Sequence, residues 1–232
     1  MNPISPAHAV LRSATAGHHV AAEEAFAAFD LGTPGGYRDF LLAQAAAVLP
    51  VERWLADRAI ADVLPDWTAR RRGDLLLRDL EALGARPPAW APADLPGDPF
   101  GAVYVLEGSS FGGRVLARRA AAADATRFLR DPGPAGGWRA FWEAVERELD
   151  SGRRSLAAML EAAEAVFALF RVAGLAPADE RAPGACPSPM RAGVPRSHRD
   201  VLRVASTGPA AGSSSPFAGM GPGRSRSANA GP

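Results

Sequence analysis

Through the first 175 positions, apolar residues recur every three to four residues, and proline and glycine cut the recurrence at intervals. A repeat of that period buries one stripe per segment, which suits helices joined by short loops. Residues 7–29 run with Gly17 as their one breaker, and Leu11, Thr15, His18, Ala22, Ala25 and Phe29 fall on one stripe. After a turn at 32–36, a helix is expected over 37–48, and Pro50 is expected to open a second, short one ending at Pro65. Asp66 is a candidate N-cap for a helix over 67–83, with Gly84 as its stop. Further helices are expected over 100–123, 138–149 and 154–173, separated by the proline-rich loop 85–97 and a turn at 131–137. Composition points the same way: 50 Ala and 22 Leu stand against 14 Val and 2 Ile, a balance that favours helix over sheet. The expectation is an all-α, irregular bundle of about seven to nine helices.

The pattern stops near Gly174. Residues 176–232 hold 9 Pro and 8 Gly, with Phe217 the only aromatic. So few large apolar groups cannot offset the entropy of ordering, so a disordered tail over 176–232 is expected beside one helical domain over 1–175.

The basic residues are all Arg, 26 of them, against 25 acidic residues. A net charge of +1 gives no electrostatic footprint for nucleic acid. One Cys excludes a disulfide framework and a cysteine zinc cage. No apolar run reaches the roughly 18 residues that span a bilayer. Residues 1–14 lack an apolar core and carry His8 and Arg12, so no signal peptide and a cytoplasmic setting are expected. The tryptophans at 54, 67, 138 and 142 read as core or pocket lining, and Arg70-Arg71-Arg72 as a solvated face.

Two segments carry chemistry. In the first, Arg12, Thr15, His19 and Glu23 lie on one helix face at spacings of three and four. A neutral imidazole on a helix is a good axial ligand for haem iron, and an arginine on the same face suits a haem carboxylate. Spacing alone leaves both histidines open as plain surface residues, and it does not choose between His18 and His19. In the second, Tyr104 leads into Glu107-Gly108-Ser109-Ser110-Phe111-Gly112-Gly113. Gly108 and Gly112, one turn apart and without Cβ atoms, let a flat ligand or a second helix lie against the backbone. No Lys follows and no β-rich strand precedes them, so a phosphate loop is a poor fit.

Together these segments resemble the heme oxygenase family, in particular bacterial biliverdin-producing members that accompany bacteriophytochromes. The resemblance spans about residues 8–172. It rests on Leu11-Arg12-x-Ala14-Thr15-x-x-x-His19, Pro50-x-Glu52-x-x-Leu55, Asp79-Leu80-x-x-Leu83-Gly84, and Tyr104-Val105-Leu106-Glu107-Gly108-Ser109-Ser110-x-Gly112-Gly113. It implies that His19, four residues after Thr15, is the iron ligand. It also implies that Gly108, Ser109 and Gly112 form the distal wall, and that Arg12 and Tyr104, with Arg139 in a looser register, meet the haem propionates.

The implied reaction is oxidative cleavage of haem, at once substrate and cofactor, to biliverdin, CO and iron. Electrons would come from an external ferredoxin or reductase, since the chain shows no flavin or nicotinamide fingerprint. A bacteriophytochrome is the candidate acceptor of the biliverdin; neither nucleic acid nor membrane is an expected partner. Two departures stand out: Ser109 replaces the Asp of animal-type members, and Phe111 replaces the usual Leu. The departure at Ser109 and the tail motivate a competing expectation, a non-catalytic haem-binding or haem-transfer protein on the same fold.

Overall fold

A computed structural model describes residues 5–87, 90 and 93–177. They belong to one compact unit, 1–187; a second, 188–232, lies outside the described residues, as does the expected tail beyond Pro177. The described residues form ten α-helical segments, two short 3-10 turns and no strand. None of these helices is long and apolar enough to cross a membrane.

The helices are α1 (Pro6–Ala14), α2 (Ala16–Ala27), α3 (Pro34–Asp57), α4 (Trp67–Arg70), α5 (Gly73–Ala82), α6 (Pro99–Ser110), α7 (Gly113–Ala117), α8 (Arg127–Arg130), α9 (Gly137–Asp150) and α10 (Leu156–Leu175). Local chemistry sets several of their starts. Ser5, Thr33, Asp98 and Ser155 each accept a backbone N–H of the first turn, and prolines follow the first three, where the missing N–H costs nothing. Gly84, at φ +67°, stops the turn after α5 in the left-handed region that glycine tolerates.

Three expectations needed correction. Residues 7–29 form two helices because Thr15 leaves helical geometry at φ −92°, ψ 1°, and its hydroxyl donates back to Leu11 O at 2.8 Å. Residues 37–57 form one helix, not two. Pro50 sits inside α3 at a cost of about 3 kcal/mol, and the buried row Phe40, Leu41, Val48, Val51 and Leu55 holds the helix through it. The span 67–83 divides at Arg71, which is extended, because Glu52 Oε1 accepts both Arg72 N (2.7 Å) and Gly73 N (3.0 Å) and starts α5 afresh. Asp66 is not a side-chain cap; its carboxylate takes Arg70 instead.

The centre of the bundle is α10, against which α2, α3 and α6 pack. The α6 contact is close: a Cβ on Gly101 would overlap the Met159 carbonyl. Along α2, His18 meets Glu164 and Ala25 meets Gly174 of α10. Gly97, just before α6, meets Ala158 and Ala162, and Gly101 on α6 meets Met159 and Ala163.

Candidate functional site

Thr15 and Tyr104 join the two halves of the site. Both are buried, and their hydroxyls stand 3.4 Å apart. His19 lies one turn beyond Thr15 on α2, and Gly108 lies one turn beyond Tyr104 on α6. This contact ties the helix that carries His19 to the helix that carries Gly108, and the two helices are the walls of the candidate slot.

On the first wall, His19 keeps nearly half of its side chain exposed. Its Nδ1 faces Glu23 Oε2 at 3.6 Å, and its ring meets Phe167 edge-on at 5.9 Å. His18 turns toward α10, with Nε2 3.8 Å from Glu164 Oε1. Arg12 is exposed in the last turn of α1. One turn earlier, His8 stacks on Trp142 at 4.7 Å and meets Trp138 edge-on at 5.4 Å. Burial, followed by the charge of Arg12, holds the His8 imidazole below its ordinary pKa. His8 was not singled out from the sequence, although it continues the 12, 15, 19 face by one more turn.

On the second wall the glycines separate by role. Gly113 is a packing residue, since a Cβ there would overlap the Leu129 carbonyl. Gly108 is different: a Cβ built on it meets nothing within 4 Å. Helix packing therefore explains Gly101 and Gly113 and does not explain Gly108. The expected helix 100–123 breaks at Phe111 and Gly112, which is buried ahead of α7. Ser109 and Ser110 prepare the break, their hydroxyls donating to the carbonyls of Leu106 and Glu107, each at 2.7 Å.

Beneath this wall lies a charge network that sequence reading missed. Arg72 Nη2 donates to Ser109 Oγ at 2.6 Å and to Leu106 O at 2.7 Å, while its guanidinium covers the Phe128 ring. Arg70 grips Asp66, reaches Glu107 Oε2 at 3.2 Å and donates to Gly137 O at the start of α9. Burial raises the Glu107 carboxyl above the ordinary range, against the opposing pull of Arg70 and Arg72. The solvated face expected at 70–72 is thus corrected: Arg70 and Arg72 are 4% and 6% exposed, and only Arg71 faces solvent. The Arg run and the Glu before Gly108 were visible signals, but three adjacent arginines read as surface until Asp66, Glu52 and Glu107 are known to surround them.

The slot is flanked by aromatic groups. Trp138 tilts against Tyr104 at 6.3 Å, meets Phe111 edge-on at 5.1 Å and meets Trp142 at 5.5 Å. Trp142 Nε1 is buried with no hydrogen-bond partner. The open glycine face fits a ligand that is flat and apolar. Arg139 is not gathered in. It is exposed on α9 and faces Glu143 at 3.6 Å.

No protein-family model matches the chain. It is 37% identical over 131 residues to a heme oxygenase of Xanthomonas campestris pv. campestris (strain 8004), covering 51% of this chain and 76% of that protein. Its fold is similar to that of the Neisseria meningitidis heme oxygenase, whose crystal structures hold NO and CO. That likeness has a TM-score of 0.57 at 23% sequence identity and covers 76% of this chain and 96% of the other.

Proposed function

The chain belongs to the heme oxygenase family, and from that premise we propose that the slot between α2 and α6 binds haem for oxidative cleavage to biliverdin, CO and iron. The observation that carries the reading is the Thr15–Tyr104 contact, which ties the helix of His19 to the helix on which Gly108 presents a bare face. The sequence motifs shared with bacterial members support biliverdin as the released pigment.

Haem bound there supplies an iron centre at which O₂ is reduced, with electrons from an external donor. The chain's own residues do the rest. His19 would hold the iron, and Glu23 on the Nδ1 side would favour the tautomer that leaves Nε2 to ligate. Gly108 lets backbone approach the macrocycle where any side chain would intrude. Arg12 and the Tyr104 hydroxyl hold the propionates, and Thr15 fixes the tyrosine; together they set which ring edge faces the distal wall. Ser109 takes the part of a distal polar group. Its proton is directed to Leu106 O and one lone pair takes Arg72, so its remaining lone pair is an acceptor for a distal water. Arg72 and Arg70 keep that group in register by tying α6 to α5 and α9.

Hemin titration followed by reduction in air tests the reading. The parent should show an imidazole-ligated Soret band and then form biliverdin. His19→Ala should retain weakened hemin binding, lose the imidazole-ligated spectrum and cut biliverdin formation by about 10²-fold or more. His18→Ala should leave both intact, since adjacent helix residues point about 100° apart. The reverse pattern would overturn the ligand assignment, and bound hemin that never yields biliverdin would overturn the reaction.

A further inference from the structure

Trp138 and Trp142, one turn apart on α9, bracket Tyr104. Centre to centre, the tyrosine ring lies 6.3 Å from Trp138 and 5.9 Å from Trp142, and the two indoles lie 5.5 Å apart. Tyr104 and Trp142 are buried, whereas Trp138 is half-buried and touches the exposed Phe111. The rings thus make an unbroken run of contacts from Tyr104, whose hydroxyl meets Thr15, out to the surface. Packing alone does not call for these ring types. A second cluster of described rings, which joins α2, α3 and α10, is built from Phe26, Phe29, Phe40 and Phe170 with Tyr37 and uses no tryptophan. Phenylalanine is hard to oxidise, while phenol and indole give up an electron readily and each has a proton to release with it.

Resting on the haem reading above, we propose that Tyr104, Trp142 and Trp138 form a relay that drains oxidising equivalents from the slot to solvent, giving the chain a protective peroxidase activity toward hydroperoxides. A hydroperoxide is the two-electron reduction product of O₂, and it stays an oxidant in the slot whenever the haem ring is not attacked. Its reduction to an alcohol and water takes two electrons and two protons. Each electron leaves Tyr104 together with the phenolic proton. Trp138 then returns an electron to Tyr104, which takes back a proton, and the indole proton of Trp138 passes to solvent. A small one-electron reductant of the ascorbate class restores Trp138 with one electron and one proton. Two passes therefore convert one hydroperoxide into alcohol and water and leave the protein unchanged. Burial selects Trp138 as the outer member. Trp142 Nε1 is buried with no hydrogen-bond partner, so an oxidised Trp142 ring has no group to take its proton. It stays a cation in an apolar setting, which is costly, and hands the vacancy on. Trp138 reaches solvent and loses its proton there.

The test mixes the hemin-loaded full chain with tert-butyl hydroperoxide, freezes it within the first turnover and reads protein radicals by electron paramagnetic resonance. Separate samples carry ring-deuterated tryptophan or ring-deuterated tyrosine, and variants are compared at equal bound hemin, set by the Soret band. The parent should give a tryptophan radical, narrowed by indole deuteration and removed by ascorbate. Peptide mapping without ascorbate should find an oxygenated product at Trp138. Trp138→Phe should lose the tryptophan signal and show a tyrosine radical in its place, with the oxidised product moved to Tyr104. Trp54→Phe, which removes a buried indole on α3, should alter neither the signal nor the product. The relay is overturned if the parent gives no tryptophan radical, if Trp138→Phe keeps it, or if Trp54→Phe removes it. A parent that develops no Soret band with hemin would overturn the haem reading, and that result is read before any peroxide is added.

Discussion

Gly101 and Gly108 stand two turns apart on α6, and a Cβ added to each meets opposite surroundings. At Gly101 it would run into the Met159 carbonyl of α10; at Gly108 it finds open space. The amino end of α6 is therefore locked to the central helix by close backbone approach. The carboxy end faces the slot, and its position is held from behind by the buried Arg72 on Ser109 and Leu106. One residue type serves as a packing element in one place and as an opening in the other. What decides is the neighbour across from it, and glycine is needed at both because any side chain would fill the gap.

The largest effect is expected from splitting that pair by mutation. Gly101→Val should cost about 4 kcal/mol or more, because backbone on both sides must move, and urea unfolding should show a barely folded protein. Gly108→Val should shift stability by about 1 kcal/mol or less, since valine has room there and forms helix at least as readily as glycine. Its hemin band should nevertheless be weakened or lost. Equal destabilisation by the two changes would mean that Gly108 packs as Gly101 does.

A smaller effect is expected from removing the support behind the open end. Arg72→Met should leave Glu107 and the Ser109 hydroxyl short of a partner in a buried setting, at a cost of about 3 kcal/mol. Thermal unfolding reads that cost. Turnover at a temperature where the variant stays folded should also fall, because Ser109 loses its fixed place; a variant with parental turnover would show that the network serves stability alone.

The smallest concerns pH. Burial holds the Glu107 carboxyl above the ordinary glutamate value near 4.5. The folded state thus binds this proton more tightly than the unfolded state does. The resulting contribution is complete below that ordinary value and is lost as pH rises through the folded one. Between neutral pH and pH 5 the parent should therefore gain stability relative to Glu107→Gln, read as a rise of its urea midpoint relative to the variant's. A parent midpoint that falls relative to the variant's on acidification would show that the pair with Arg70 outweighs burial.

Much of the proximal side was legible because its signal is local. Arg12, Thr15 and His19 share a face by spacing alone, although the helix breaks at Thr15, between the other two. The choice between His18 and His19 was not legible from spacing, since His18 lies on the apolar stripe and His19 on the face of Arg12 and Thr15; family register made it. On the distal side, the motif from Tyr104 to Gly113 was visible, but the division of labour among its glycines was not. Helix ends showed the same limit. Gly84 acts within one turn of itself and was read directly as a stop. Pro50 was misread as a helix start because the burial that carries α3 through it comes from residues distant in sequence.

By itself the sequence determined the helical class, the position of most helix starts, and the face that presents Arg12, Thr15 and His19. Each depends on interactions within a turn or two, which period and capping chemistry encode. Tertiary structure alone decided that Arg70 and Arg72 are buried, that Ser109 is held by Arg72, and that Gly101 is closed while Gly108 is open. It also left Arg139 outside the slot. Those outcomes depend on which distant backbone or carboxylate arrives opposite a given side chain, and a residue's own neighbours in sequence carry no record of that.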